Sequence, residues 1–340
     1  MRGSAHTGPD AAQVLAALRD EGELATWGPA GREVRPGTWA EQALPTPDAI
    51  ERAVADGRLA DAARLARHLV VEAQEIHDLY SQWAREIPAE LRRRGVADAE
   101  LAAERARLVE ATRADDPERD WVAFRRAVDA LAAACEEGAP TKAGLGAALA
   151  MWRTAHDRHL HLVAGWVDVA VARLGEEHLG DLWRHLQAEG IAAYARYGLA
   201  ANPWSRSRAL LLQTAIEGMH GHLGGPQGRG EVEVIEHPDR VQLRFSPCGS
   251  GGRLRAAERF GVTTERHDWA WNELGVCHYC VHCCVLQQLE PIDRLGYPAR
   301  VIDPPLRAGD PCSWTVYHDP SLVPESAYRR VGRSKPEEDR

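Results

Sequence analysis

The pattern of apolar and polar positions divides the chain into two parts that meet near residue 224. Between residues 46 and 224, apolar side chains recur at spacings of three, four and seven, as Leu65, Leu69 and Ile76 illustrate. This is the period of an amphipathic helix, and it returns in several further segments of the same part. We therefore predict an N-terminal multi-helix bundle.

The second part alternates apolar and polar residues with the period of a strand. In EVEVIEHPDRVQLRF, Val232 and Val234 alternate with glutamates before the turn HPDR, and three apolar residues alternate after it. ARVIDPP and CSWTVYHDP, joined by LRAGDP, form a second pair of this kind. The pattern predicts two β-hairpins with a Cys-rich helix between them, so the expected fold class is α+β.

These changes of pattern set the predicted boundaries. Residues 1–45 are interrupted by glycine and proline, and we expect an irregular N-terminal arm there. Residues 46–224 form the α-helical domain, and residues 225–325 form a small Cys-rich α+β metal-binding domain. Residues 326–340 end in the polar stretch GRSKPEEDR and are expected to be a disordered tail.

Charge and hydropathy narrow the class of partner. The 340 residues carry a net charge of −9, which argues against nucleic acid or an anionic membrane as the main partner. No apolar run approaches the roughly 20 residues needed to span a bilayer, and the N-terminus lacks the apolar stretch of a signal peptide. We expect a cytoplasmic protein whose partner is a small-molecule substrate or ligand. The sequence leaves a homo-oligomer open.

Cysteine is concentrated in one region. Of seven cysteines, Cys135 stands alone in a helical stretch, and the other six lie between residues 248 and 312, four of them in CHYCVHCC. In a reducing compartment such clustering favours metal binding or thiol chemistry over disulfides. The sequence therefore indicates a metal or redox site.

The geometry of the CHYCVHCC segment has two interpretations. A helix would place Cys277, Cys280 and one of the last two cysteines on one face, whereas a turn at Gly275 would make Cys277 and Cys280 a knuckle-like CxxC pair. Neither supplies four ligands, so we expect cysteines from the flanking β-segments to complete the set. The predicted metal ligands are Cys248, Cys280, Cys283 and Cys312, with Cys277, Cys284 and His282 as substitutes.

Zn²⁺ is the first choice of metal, because it accepts thiolate and imidazole in a tetrahedral arrangement. An iron–sulfur cluster held by four cysteines is the second choice, although the spacing is not that of a ferredoxin.

The loop SPCGSGGRL has two interpretations of its own. Its glycines could turn backbone N–H groups toward an anion, with Arg253 clamping a carboxylate, and a cysteine beside such donors could act as a nucleophile. Alternatively, Cys248 is a metal ligand next to a glycine-rich turn. His220 and His222 lie near the boundary between the two parts, where they could move protons. The predicted catalytic residues are therefore His220, His222 and Arg253.

Other polar residues in the helical part could also form a site. A metal site there is conceivable, but a solvated face with interhelical hydrogen bonds explains the same residues. They are Glu72, Glu75, His77, Asp78, His156, Asp157, His159 and His161, together with Glu217 at the boundary.

The C-terminal third resembles the small domains of the 2-amino-thiazoline-4-carboxylate hydrolase-like and 4-vinyl-reductase-like families. The shared layout is a hairpin ending in Cys (FSPC), a Cys-bearing helix (CHYCVHCC) and a closing hairpin with a Gly-Asp-x-Cys turn (AGDPC). The resemblance implies a ligand-binding domain whose metal or catalytic cysteines are Cys248, Cys280, Cys283 and Cys312. The GSGGR loop, the run of cysteines and the helical part lie outside the shared layout.

Together these features predict a zinc-dependent, hydrolase-like enzyme that cleaves a C–N or C–S bond in a small carboxylate-bearing molecule. One alternative is a ligand-binding or sensor protein with a structural zinc, and another is an iron–sulfur redox protein.

Overall fold

A computed structural model describes residues 11–199, 201–258, 260–307 and 309–337. The chain is mostly helical and carries small antiparallel sheets, which confirms the α+β class. The α-helices are α1 (Ala11–Ala17), α2 (Trp39–Gln42), α3 (Thr46–Ala55), α4 (Leu59–Arg93), α5 (Asp98–Thr112), α6 (Pro117–Glu136), α7 (Lys142–Leu174), α8 (Leu179–Leu186), α9 (Ala188–Ala193), α10 (Trp204–Gly221), α11 (Gly251–Ala256), α12 (Val281–Cys284), α13 (Glu290–Leu295) and α14 (Glu325–Arg329).

Single turns of 3₁₀-helix connect several of these elements, at Leu18–Glu21, Glu176–His178, Tyr194–Tyr197, Asp268–Ala270 and Pro320–Leu322. A search of the described helices for one of membrane-spanning length and apolarity finds none.

Helix α4, 35 residues long, packs against α3, α6, α7 and α10. Its apolar stripe is buried as the spacing predicts, with Leu65, Leu69 and Ile76 all inside. Gly221 at the end of α10 allows close contact with α4, because a Cβ there would lie 2.1 Å from the carbonyl oxygen of Glu72. This contact brings the end of α10 against the middle of α4.

The C-terminal part contains a four-stranded antiparallel sheet in the order β3-β4-β6-β5. Its strands are β3 (Glu233–Glu236), β4 (Arg240–Phe245), β5 (Val301–Asp303) and β6 (Cys312–Tyr317). The register pairs Phe245 with Cys312. Because antiparallel strands run in opposite directions, the end of β4 and the start of β6 are adjacent. Cys248 follows the end of β4, so it lies beside Cys312.

The N-terminal arm is more regular than its glycines and prolines predict. Residues 25–27 and 32–34 form a two-stranded antiparallel sheet, β1 and β2 (Ala25–Trp27, Arg32–Val34), flanked by α1 and α2. Leu15, Trp27 and Trp39 are buried, and α1 packs against α10. Apolar anchors spaced along the arm therefore order it, and the part of the predicted arm before residue 11 lies outside the described residues.

The predicted tail is also ordered up to residue 337. Tyr328 and Val331 are buried, and Arg333 pairs with Asp268 and Asp293. The last helix and the turn after it are thus held by two apolar side chains and an ion-pair network. Residues 338–340 of the predicted tail lie outside the described residues.

The cysteine segment combines both geometries that the sequence allows. Residues 277–280 form a turn, entered by a bridge between Val262 and Cys277. From Val281 the chain is helical through α12, a π-helical stretch (Val285–Leu289) and α13. The turn gives Cys277 and Cys280 the knuckle-like arrangement, and the helix carries Cys283 and Cys284.

Candidate functional site

Four cysteines from three separate segments line one small cavity of about 40 Å³, called here the thiol cavity. Cys248 comes from the loop after β4, Cys312 from the start of β6, and Cys280 and Cys283 from the turn and helix between them. These are the four residues that the sequence selects as metal ligands.

Two glycines of the loop after β4 make this convergence possible. A Cβ at Gly251 would lie 2.2 Å from the sulfur of Cys280, and a Cβ at Gly249 would lie 2.1 Å from the carbonyl oxygen of His222. Any larger residue at these positions would push the loop away from the cysteine turn and from α10. The glycines therefore serve close packing around the site.

Cys248 and Cys312 form a hydrogen-bonded thiol pair. The hydrogen bond from the Cys312 thiol lowers the pKa of Cys248 to about 6, and contacts from Ser250 and the Gly252 N–H add to this against the opposing effect of burial. The same pair interaction, with burial, raises the pKa of Cys312. Cys248 is thus the thiolate of the pair at neutral pH, the form that binds metals and attacks electrophiles.

Cys277 and Cys280 form a second pair. Burial acts to raise the pKa of Cys277, but hydrogen bonds from the Cys280 thiol and from the N–H groups of Cys280 and Tyr279 shift that pKa downward overall. The interaction with Cys277 raises the pKa of Cys280, and burial adds to it. N–H groups converging on the first sulfur of a CxxC turn stabilise its thiolate.

Cys283 lies next to His282. The His282 Nδ1 contacts the carbonyl oxygen of Tyr279 at 2.5 Å, and its Nε2 lies 3.3 Å from the sulfur of Cys283. Burial lowers the pKa of His282 to about 4, so the ring is neutral at pH 7 and its Nε2 can accept a hydrogen bond from the Cys283 thiol. Burial also raises the pKa of Cys283.

The remaining cysteines have other surroundings. The Cys284 thiol donates to the carbonyl oxygen of Asp268 at 3.6 Å, and burial raises its pKa to about 12. Cys135 is buried in α6, among helical-core residues. Neither Cys284 nor Cys277 lines the thiol cavity.

His222 also lines the thiol cavity and ends a chain of hydrogen bonds that starts at a partly exposed carboxylate. Asp157 Oδ1 lies 3.0 Å from His156 Nδ1, and His156 Nε2 lies 3.0 Å from His222 Nδ1. Tyr80 also contacts this Nδ1, at 3.3 Å. Burial, with the neighbouring His156, lowers the pKa of His222, so the ring is neutral and can accept a proton at pH 7.

Arg253 supports this chain. Its guanidinium pairs with Asp157 at 2.5 Å and is not among the residues that line the cavity. Arg253, which we expect from the sequence to clamp a carboxylate of the substrate, therefore pairs with a carboxylate of the protein itself.

His220 points away from the cavity into the helical part. Its Nδ1 lies 3.1 Å from a carboxylate oxygen of Glu72 on α4. Glu217 in the same network lies 3.4 Å from His68 and pairs with Arg32. This buried network joins α4, α10 and the N-terminal arm, so His220 has an interhelical role in this structure, and His222 is the one of the two that lines the thiol cavity.

A larger cavity of about 470 Å³ adjoins the thiol cavity and is called here the aromatic pocket. Met219, His222, Tyr279, His282, Cys283 and Trp314 line both cavities. Tyr80, Trp83 and Tyr194 add to its wall, and Arg300 is among its polar lining. A small molecule in this pocket would have the thiol cavity at one end.

The histidines of α7 separate into two environments. His156 belongs to the chain that reaches His222, whereas His159 lines a groove of about 610 Å³ between α4, α5 and α7. His77 stacks on Trp121 with ring centroids 4.5 Å apart. The groove has more volume than the aromatic pocket, but no cysteine lines it. The thiol cavity, which holds the reactive side chains, is therefore the better candidate for the functional site.

The thiols are not yet arranged around a common point. Over the described residues, no group of three or more His, Cys, Asp or Glu side chains has the geometry to hold a metal ion. Binding at the thiol cavity would therefore require the cysteine side chains to rotate to other staggered positions about χ1.

Comparison with known proteins finds no protein family that matches the chain, no similar curated protein and no similar solved structure. The geometry of the site is therefore the basis for assigning a function.

Several residues of the site carry no signal in the sequence. Tyr80 lies far from the cysteines along the chain and reaches the pocket only through the packing of α4. Arg300 lies between Cys284 and Cys312, but nothing in the local pattern before β5 marks it as a pocket residue. Trp271 and Trp314 line the thiol cavity, whereas Trp269 packs near Gly180. Their proximity to cysteines in the sequence is the only cue that could find the two lining tryptophans.

Proposed function

We propose that the protein is a cytosolic, zinc-dependent, hydrolase-like enzyme that acts on a small carboxylate-bearing molecule bound in the aromatic pocket. The observation that carries this proposal is the shared wall of the two cavities. Four cysteines line the thiol cavity, which adjoins a ligand-sized pocket, and Cys283 and a neutral histidine, His222, line both.

Cys248, Cys280, Cys283 and Cys312 are the proposed Zn²⁺ ligands. Thiolate is a preferred ligand of zinc, and three of the four belong to pairs in which one thiol already has a lowered pKa. Hydrolysis requires one open coordination position. Cys283 is the ligand expected to give way to water, because it alone of the four also lines the aromatic pocket.

His222 is the proposed general base. A neutral imidazole at the boundary of the two cavities can take the proton of an attacking water. The hydrogen-bond chain through His156 to Asp157 fixes the ring through Nδ1 and offers the proton a route toward the surface. The resemblance of the C-terminal third to hydrolase-like domains agrees with this class and stays a prediction.

Metal analysis tests the proposal. Protein purified without added chelator is expected to contain one zinc per chain, and Cys280→Ser is expected to retain less than a tenth of it. Cys284→Ser is the matched control, because its thiol contacts a backbone carbonyl outside the cavity. Equal metal content in the two variants, or the absence of zinc from the wild type, would overturn the zinc site.

An iron–sulfur protein is the second candidate, favoured by one observation: the four first-choice ligands that line the cavity are all cysteines, the usual ligands of such clusters. Anaerobic purification separates the two. A brown protein with absorption near 400 nm and stoichiometric iron would replace zinc with a cluster, whereas a colourless protein with zinc would exclude it.

A non-enzymatic sensor with a structural zinc would differ from the proposed hydrolase in the ligands that surround the metal. X-ray absorption of the zinc protein would show four sulfur neighbours for a closed site, or three sulfurs and one oxygen for a site that can hydrolyse. The second result is the one that the position of Cys283 predicts.

A further inference from the structure

Arg300 places a buried positive charge in the wall of the aromatic pocket. The residue is 6% exposed. In the described part of the chain its guanidinium makes four hydrogen bonds, all to neutral oxygens. The acceptors are the Leu211 carbonyl, which takes two, the Thr214 hydroxyl and the Gln287 side-chain amide.

Two other arginines near the site have acidic partners, and Arg196, which also lines the pocket, is exposed to solvent. Arg32, which also lines the pocket, pairs with Glu217, and Arg253 pairs with Asp157. No comparable ion pair neutralises Arg300 within the described ranges. A buried charge without a counter-charge is costly, and neutral hydrogen bonds offset only part of the cost. The arrangement favours an anion supplied by a ligand.

The surroundings of Arg300 define the rest of the ligand. The centre of its guanidinium lies 5.4 Å from the ring centroid of Trp314, and Tyr194 shares Gln287 with it through a 2.8 Å hydrogen bond. The two carboxylates that line the pocket, Glu75 and Glu189, are exposed. The interior of the pocket therefore combines aromatic surface with one positive charge.

Arg300 is also close to the thiol cavity. Arg300 and Cys283 both line the aromatic pocket, and Cys283 lines the thiol cavity as well. Trp314 lines both cavities. An anion held by Arg300 would therefore leave the other end of a small ligand near Cys283 and His222.

We propose that Arg300 is the binding residue for the carboxylate of a small aromatic carboxylic acid in the aromatic pocket. The assignment of the reaction rests on the proposed function, but binding of the acid does not require metal. Planar, multi-donor guanidinium groups suit carboxylate recognition, and the aromatic wall suits the ring.

The test compares two probes of one shape, 2-naphthoate and 2-naphthamide, by titration calorimetry on the full-length protein with and without chelator. The wild type is expected to bind naphthoate at least tenfold more tightly than naphthamide. Equal affinities, or no binding of either probe at millimolar concentration, would overturn the proposal without reference to any variant.

Three variants locate the effect. Arg300→Gln is expected to lose the preference for naphthoate while its affinity for naphthamide changes less than threefold, and Arg300→Lys is expected to keep part of the preference. Arg196→Gln is the control, since Arg196 lines the same pocket but is exposed and lies over the Tyr197 ring. A preference that survives in Arg300→Gln but disappears in Arg196→Gln would move the anion site to the mouth of the pocket.

The carboxylate-binding proposal and the zinc proposal can be overturned independently of each other. Naphthoate preference in a chelated, metal-free protein would support the carboxylate site even if the zinc proposal is wrong. Conversely, stoichiometric zinc with no preference between the probes would leave the metal site standing and remove the assignment of Arg300.

Discussion

Cys312, the first residue of β6, lies beside Cys248 in the loop that follows β4, and its thiol lowers the pKa of Cys248. This pair exists because Phe245 and Cys312 face each other in the antiparallel register. The sheet thus presents two adjacent sulfurs from distant parts of the sequence to the cysteine turn.

If the pair supplies two ligands to one ion, its members should act as a unit. Cys248→Ser and Cys312→Ser are each expected to reduce bound zinc more than tenfold, and the double variant is expected to bind no less than the weaker single variant. Losses that multiply in the double variant would indicate two independent sites. Elemental analysis after dialysis against a weak chelator measures all three.

Gly251→Ala should disturb the site without touching a ligand. A Cβ at this position would lie 2.2 Å from the Cys280 sulfur, so either that sulfur or the loop must move. We expect zinc affinity to fall at least tenfold, equivalent to about 1.4 kcal/mol, as measured by competition with a chromogenic chelator. Gly146→Ala is the control, since its Cβ would meet nothing within 4 Å, and an equal effect of both variants would contradict the explanation.

The contact between α10 and α4 predicts opposite effects for two glycines one turn apart. Gly221→Ala would bring a Cβ to 2.1 Å from a backbone oxygen of α4 and should cost about 3 kcal/mol of unfolding free energy, the upper range for overpacking. Gly218→Ala meets nothing within 4 Å and should stabilise α10 by about 0.5–1 kcal/mol. Urea unfolding measures both, and similar values for the two would show that the helices separate readily.

His159 predicts how stability depends on pH. Burial, with the neighbouring His77 and His156, lowers its pKa from 6.5 to about 4 in the folded state. Between these values only the unfolded chain binds the proton, so this contribution to stability is full above pH 6.5 and is lost as the pH falls toward 4. The unfolding free energy of the wild type should fall between pH 7 and 5.5. In His159→Gln this fall should be smaller by about 1 kcal/mol.

Urea unfolding at the two pH values tests this, with His178→Gln as the control because the side chain of His178 is 44% exposed. The same pH dependence in the wild type and in His159→Gln would show that other groups cause the loss.

Asp157 and Arg253 should be coupled. Their side chains are 32% and 19% exposed, so solvent screens the pair, and a double-mutant cycle of Asp157→Asn and Arg253→Gln is expected to give a coupling of about 1 kcal/mol. Asp157→Asn should also change the tautomer of His156, visible in ¹⁵N spectra of the ring. If Asp157→Asn leaves the His156 tautomer unchanged while the coupling energy is as expected, the ion pair does not influence the hydrogen-bond chain.

The sequence predicts a chain of mixed helix and strand because the periods of both depend on local spacing, and the mostly helical chain with small antiparallel sheets agrees with this class. The four cysteines of the thiol cavity are also found from the sequence, since their residue type and their positions beside strand ends carry the signal. His220 and His222 show the limit of the method. They are two residues apart on one short stretch, yet the end of α10 directs one toward Glu72 and the other toward the cavity.

Order at the chain ends could not be predicted from composition. The arm and the tail are rich in glycine, proline and charge, but Trp27, Trp39 and Tyr328 bury enough apolar surface to hold them. Such anchoring depends on a partner surface formed by distant residues. Arg300 escaped notice for the same reason, because its lack of an acidic partner is a property of the folded neighbourhood.

Arg300 sits just before β5 but bonds to the Leu211 carbonyl in the middle of α10, and the Trp204 indole donates to Tyr317 at the end of β6 at 3.0 Å. The sheet and the helices therefore form the aromatic pocket together. If the chain is cut at residue 225, neither fragment alone is expected to bind the ligand. Mixing the two purified fragments should restore ligand binding.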